Sequence, residues 1–317
     1  MSLNASQHKT SIGGQALIEG IMMRGPEKIA AAYLKPDKTI DIEIKDAPNP
    51  AKKCRILGWP IIRGVINMVS SLAIGMKFLT DSATRAEDYV DEGTDTEPDK
   101  FDLWLEKHFS QETVDKIMIG VAMVFGILMP IGLYILLPSF LTSFLRPFIK
   151  SSLALNLIEG VIKMAVFILF LKCTSLMKDM QRVYSFHGAE HKTIYCYEKG
   201  LPLTVENIRP QMRFHPRCGT SFLFVVLIIG ILVYSFISWD NVWMRILIRL
   251  CCLPILVGVT YEINRLVGRH DNLLTRIVRA PGLWVQHLTV FEPDDDMIRA
   301  AIEAVKPVIP DDGSDQW

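Results

Sequence analysis

The sequence predicts a mainly α, polytopic membrane protein with about four transmembrane helices, an in-plane amphipathic helix, and a cytoplasmic α+β portion formed by the N-terminal, central and C-terminal segments. Three observations carry this expectation. Half of the 317 residues are hydrophobic and the mean hydropathy is +0.26, above that of an ordinary soluble domain. Four stretches, near 117–137, 153–171, 222–239 and 242–267, approach the ~20 apolar residues that a bilayer core of ~30 Å requires. Basic residues are distributed unevenly around these stretches. Lys172, Lys178, Arg182, Lys192, Lys199, Arg209, Arg213 and Arg217 fall between 172 and 220, whereas the first hairpin loop carries Arg146 and Lys150 and the Asp240-Asn241 connection carries none. By the positive-inside rule both termini and the central segment lie in the cytoplasm, with two short hairpins outside the plasma membrane.

Residues 1–55 form a cytoplasmic β-rich segment. Its first residues, MSLNASQHKTSIGG, have no apolar core behind their charge and do not read as a cleaved signal peptide. Runs at 29–34 and 39–44 flank Lys35-Pro36-Asp37-Lys38, the pattern of a hairpin, and Gly13-Gly14 and Gly25-Pro26 mark turns around it. Gln15, Glu19 and Arg24 sit among glycines and methionines, which suggests a tight loop against the membrane or the functional site. Segment 56–80 is apolar but interrupted by Arg63 and Lys77. The stretch between those charges spans only ~20 Å as a helix, so it reads as in-plane or partly buried, with a fifth span as the alternative.

Segment 81–116 is an acidic linker and helix, with seven acids between Glu87 and Asp99. The first transmembrane hairpin occupies 117–171, a His-rich cytoplasmic segment 172–220, and the second hairpin 221–267. SFLFVVLIIGILVYSFISW is the cleanest of the spans, and Pro130 in the first is tolerable in a packed membrane helix. In the C-terminal segment, 268–317, a basic run to Arg279 precedes Pro281-Gly282-Leu283-Trp284, read as a chain break. Glu292-Pro293-Asp294-Asp295-Asp296 then starts a helix whose Met297, Ile298, Ala301, Ile302 and Val305 share one apolar face.

Charges within spans are costly and normally find a partner. Glu159 and Arg249 both lie seven residues from the outer ends of their helices, ~10 Å deep. Glu159 is therefore expected to pair with Arg249 or Arg245. Cys54, Cys173, Cys196 and Cys218 fall on the reducing side and Cys251 with Cys252 inside a span, so structural disulfides are not expected. Net charge is zero and no basic stripe is interleaved with aromatics, which argues against nucleic acid as a partner.

The chemistry concentrates in Phe186-His187-Gly188-Ala189-Glu190-His191, where two imidazoles and a carboxylate at i, i+3 and i+4 share one helix face. His-x-x-Glu-His supplies nitrogen donors for a divalent metal, zinc in the first instance, and a base beside them. Arg213-Phe214-His215-Pro216-Arg217-Cys218 offers a third and fourth ligand, His215 and Cys218, with Glu262 in reserve. Three protein ligands make an open catalytic site with Glu190 as base; four make a closed structural one. Arg213 and Arg217 are candidates to hold a phosphate, and Tyr195 to position substrate, although interfacial anchoring explains them equally well.

Four blocks, GGQALIEGIMMRGP (13–26), FHGAEHKTIYCYE (186–198), RFHPRCGTSFL (213–223) and PGLWVQHLTVFEPDDDM (281–297), resemble the signature blocks of the YqhQ family of bacterial membrane proteins, and the resemblance extends over essentially the whole chain. It implies a multi-pass protein of unassigned function, commonly described as a metal-dependent enzyme on the strength of the same His and Glu residues. Two functions follow: a membrane-bound metal-dependent hydrolase acting at the cytoplasmic leaflet, or a non-catalytic accessory factor for membrane-protein assembly or translocation. The expected partners are membrane lipids and other proteins in the membrane, with homo-oligomerisation left open.

Overall fold

The computed structural model describes residues 8–48, 55–91, 113, 121, 124–126, 128–237 and 242–316. Most of the expected acidic linker, Cys54, His108 and the 240–241 connection lie outside the described residues. The chain divides into two compact units, Met1–Tyr89 with Leu171–Gly230 and Trp239–Trp317, and Val90–Phe170 with Ile231–Ser238.

The first unit is built on a four-stranded antiparallel meander, β1 (Gly13–Leu17), β2 (Gly20–Arg24), β3 (Lys28–Leu34) and β4 (Ile40–Asp46), in the order β1-β2-β3-β4. The expected hairpin is the β3–β4 pair, with Leu34 opposite Ile40. β1 and β2 are joined by a two-residue turn in which Glu19 takes φ 49°. Side-chain alternation divides β2 and β3 between two cores. Ile21, Met23, Ala30, Ala32 and Leu34 face Phe186, Ala189 and Ile194 of α4 (Lys178–Glu198) and Met297, Ala301 and Val305 of α9 (Asp295–Val305). Met22, Ile29, Ala31 and Tyr33 face Phe78 of α1 (Ile62–Asp91). The sheet is thus covered on both faces. Helix α9 begins as its sequence indicates, with the Asp294 side chain accepting from the Met297 amide at 2.9 Å.

Among the described residues, four segments are long and apolar enough to cross a membrane: Ile62–Ala86, Val124–Ser143, Ser152–Thr174 and Leu247–Arg269. The first is the segment expected to lie in-plane. Its charges do not shorten it, because Arg63 forms a two-pronged pair with Glu262 of α7 (Val242–Arg269) and Lys77 is exposed, free to extend toward an interface. Conversely, after the short α5 (Val205–Ile208), the cleanest apolar run forms α6 (Gly219–Ser235), only 17 residues and ~26 Å long, at the lower limit for a span. In the second unit, the segment containing Pro130 widens into a π-helical turn at Gly132–Leu136 before α2 (Leu137–Ser143). On α3 (Ser152–Thr174), Glu159 is buried and accepts from Lys163 Nζ at 2.6 Å one turn along its own helix, a contact that leaves the pairing expected with Arg249 or Arg245 neither made nor excluded. The Arg245 side chain lies outside the described residues.

The expected break at Pro281-Gly282 does not occur. α8 runs uninterrupted from Leu273 to Thr289, opened by an Asn272–Thr275 capping box. Tertiary contact outweighs the missing proline N–H here. Gln286, fully buried on α8, accepts from the His215 amide at 2.8 Å and donates to the His215 carbonyl and Ser221 Oγ, both at 2.7 Å.

Candidate metal centre

Helix α4 projects His187, Glu190 and His191 from one face, while Phe186 and Ala189 beside that face and Ile194 one turn beyond it are locked in the sheet core. Gly188 separates the two: a Cβ there would collide with the Phe291 carbonyl oxygen, so the segment following α8 lies directly on the helix backbone. That approach brings the Thr289 carbonyl to His187 Nδ1 at 3.0 Å. His191 Nδ1 meets the Arg213 carbonyl at 2.5 Å. A carbonyl oxygen only accepts, so each Nδ1 carries the proton and each Nε2 presents a lone pair when the ring is neutral.

Both Nε2 atoms face Cys218, which immediately precedes α6 at its positive end. His187 Nε2 is 3.2 Å from Cys218 Sγ, and the ligand atoms of His187, His191 and Cys218 all lie within 4.8 Å of one another. Burial pushes the Cys218 thiol up, but the His187 and His191 imidazoles outweigh it and hold the thiol well below its usual range. Reciprocally, His187 is lowered by burial yet raised to about 9 by the Cys218 sulfur. The site therefore favours a thiolate.

These features fit a divalent ion. A tetrahedral zinc with bonds of ~2.0–2.3 Å separates its ligand atoms by roughly 3.5 Å, close to the spacing found. His191 Nε2 is buried with no hydrogen-bond partner among the described residues, an expense that a bound cation removes. The carbonyls on both Nδ1 atoms are the outer contacts that orient metal-binding imidazoles. Nitrogen and thiolate donors together suit zinc better than magnesium or calcium.

The fourth expected ligand is elsewhere. His215 Nε2 lies 3.6 Å from Glu198 and 3.4 Å from Arg217, which itself pairs with Glu198. Burial, with the Arg217 and His191 charges, outweighs Glu198 and lowers His215 to about 4, keeping it neutral. Glu262, the reserve ligand, is engaged by Arg63. Glu190 stays beside the cluster, its Oε1 accepting from the Gly14 amide at 2.8 Å. A Cβ at Gly14 would come 2.6 Å from the Met22 carbonyl and 3.1 Å from Glu190 Cδ, so that contact requires glycine.

Of the expected substrate residues, Tyr195 donates to the Phe214 carbonyl at 3.0 Å, and Arg213 lies over the Phe214 ring and 3.8 Å from Glu292. Neither lines the cleft, of about 800 Å³, that opens on Glu190, His191 and Cys218. The cleft is lined instead by Gln15, Met22 and Arg24 of the sheet, by Arg63, Ile66, Asn67, Ser71 and Ile74 of α1, by Arg217, and by Tyr261 and Arg265 of α7. Spacings of 3, 4 and 8 from Arg63 place the α1 residues on one helix face, a signal readable in the sequence once that helix is known to be continuous.

The family described as protein of unknown function (DUF1385) matches residues 59–311. The uncharacterized protein YqhQ of Bacillus subtilis (strain 168) is 33% identical over 310 residues, covering 96% of this chain and 94% of the relative. No solved structure matches significantly.

Proposed function

The chain belongs to the YqhQ family of proteins of unknown function (DUF1385), and from its geometry we propose that it is a membrane-embedded, metal-dependent hydrolase. His187, His191 and Cys218 hold a divalent ion, zinc by donor type, and Glu190 is the general base. The observation that carries this reading is the convergence of two carbonyl-anchored imidazoles and the Cys218 sulfur, with His191 Nε2 buried and without a hydrogen-bond partner among the described residues. When bound, the ion supplies Lewis-acid activation of water or of a substrate oxygen. His187, His191 and Cys218 would hold the ion, and Glu190, held by the Gly14 amide, would accept a proton from the attacking water at its free carboxylate oxygen. The basic bias of 172–220 supports placing this centre at the cytoplasmic leaflet of the plasma membrane, with both termini cytoplasmic.

Cobalt(II) substitution of the detergent-purified protein tests the reading. A thiolate-to-cobalt charge-transfer band, absent from Cys218→Ser and His191→Ala, is expected; failure of zinc and cobalt alike to bind overturns it. Glu190→Gln should retain metal and fold while failing to restore function to cells lacking the protein. A variant that functions normally supports the accessory-factor alternative.

A further inference from the structure

The cleft contains more positive charge than its own acids neutralise. Two of its four arginines are satisfied, Arg63 by Glu262 and Arg217 by Glu198. The other two are not. Among the described residues Arg24 hydrogen-bonds only to neutral groups, Ser71 Oγ and the Pro48 carbonyl, both at 3.3 Å. Among the same residues Arg265 forms no ion pair; the nearby Glu262 already has both oxygens engaged by the Arg63 guanidinium. Guanidinium groups without carboxylates in a cleft are suited to a bidentate oxyanion such as phosphate.

Position links this charge to the chemistry. Arg24 pairs with Gly13 across the β1–β2 ladder, one residue from Gly14, whose amide grips Glu190. Arg24 and Glu190 also line the same cleft, so an anion on Arg24 shares the cavity with the proposed base. The remaining walls include Met22, Ile66 and Ile74, and Arg63, Tyr261 and Arg265 come from two segments long enough to cross a membrane. An apolar wall beside unmatched arginines on such helices fits a ligand with an acyl or alkyl chain and a phosphate head. Of the two arginines first expected to hold phosphate, Arg213 is turned to Phe214 and Glu292, and Arg217 is paired with Glu198.

We propose that the cleft binds the phosphate of an alkyl phosphate ester, drawn from membrane lipid, between Arg24 and Arg265. That this ligand is also the substrate rests on the hydrolase reading above; its binding does not.

The test uses the full-length protein in detergent and three probes, hexyl phosphate, inorganic phosphate and hexanol, with metal content measured on every sample. Hexyl phosphate should bind at least about tenfold more tightly than either of the others. Arg24→Gln and Arg265→Gln should each weaken it by about tenfold or more, the loss expected for one charge-assisted contact. Metal content and thermal unfolding should stay at wild-type values. Because Arg24 also ties β2 to α1, Arg265→Gln, on a different element, keeps the test valid if Arg24→Gln fails to fold. Unchanged affinity in the folded Arg265→Gln protein overturns the proposal, as does hexanol binding equally well. Inorganic phosphate binding as tightly as hexyl phosphate overturns the lipid source. Arginine-dependent binding in a protein that takes up no metal supports the cleft assignment while the hydrolase reading falls; a metal-loaded protein with arginine-independent binding gives the reverse.

Discussion

Two buried imidazole environments meet at His191, whose ring centroid lies 4.4 Å from that of His187 and 5.6 Å from that of His215. On the His187 side, backbone carbonyls take the Nδ1 protons and leave Nε2 aimed at a sulfur. On the His215 side, Nε2 is drawn into a Glu198–Arg217 pair, which the Thr10 amide also joins at 2.9 Å through Glu198. His187 is half-buried and His215 is buried, so neither ring is open to solvent on all sides. The difference is what occupies the second nitrogen: a carbonyl prepares the ring as a ligand, whereas an ion pair consumes the ring as a structural contact. Of the three histidines gathered here, only two are therefore oriented with a free Nε2 toward Cys218.

Deleting one imidazole from each side separates the two environments. His191→Ala should take the metal content, measured by elemental analysis, from about one equivalent to none, because two protein ligands rarely retain zinc. His215→Ala should leave it near one. Equal loss in both variants would mean that His215 swings into the ligand set. The structural side is probed next by Glu198→Ala, which strands Arg217 and His215 in a buried setting. Removing one partner of a buried pair costs about 3 kcal/mol, so the variant should unfold at markedly lower temperature in detergent while holding its metal.

Parts of this arrangement were readable from residue spacing and parts were not. The helix face of His187, Glu190 and His191 follows from 3.6 residues per turn, and the capping Asp294 and the apolar stripe of α9 are local signals of the same kind. Glu198 also follows His191 by seven residues, two turns on the same face, and was legible as a competitor for His215. The carbonyls of Thr289 and Arg213 were not, because any residue supplies a carbonyl and only the tertiary fold selects one. Continuity of α1 was likewise hidden, since Arg63 breaks an apolar run until Glu262 is found 199 positions away. Gln286 in α8, beyond a proline that reads as a terminator, failed for the same reason: contacts distant in sequence decided it.

Acid sharpens the contrast further. His215 falls from its ordinary 6.5 to about 4 in the fold, so between those values the unfolded chain holds the extra proton. Stability is therefore fully present above pH 6.5 and lost as pH falls toward about 4. Cys218, also lowered, acts in the same direction, and the His215 share is the difference between wild type and His215→Gln. Unfolding midpoints measured from pH 7 to 4 should fall less steeply in the variant; parallel curves would show that His215 is not held neutral.

The smallest effect is expected at Tyr195, where sequence suggested substrate positioning and the fold shows a wall. Its hydroxyl donates to the Phe214 carbonyl at 3.0 Å and its ring stands edge-on to His215 at 4.7 Å. Tyr195→Phe keeps the ring and removes one neutral hydrogen bond, for which about 1 kcal/mol of stability is the usual cost. Metal content and hexyl phosphate affinity should both be unchanged, because Tyr195 belongs to the side of the centre that supports His215. A loss of ligand affinity with unaltered stability would move Tyr195 into the cleft and erase the division between a binding side and a bracing side.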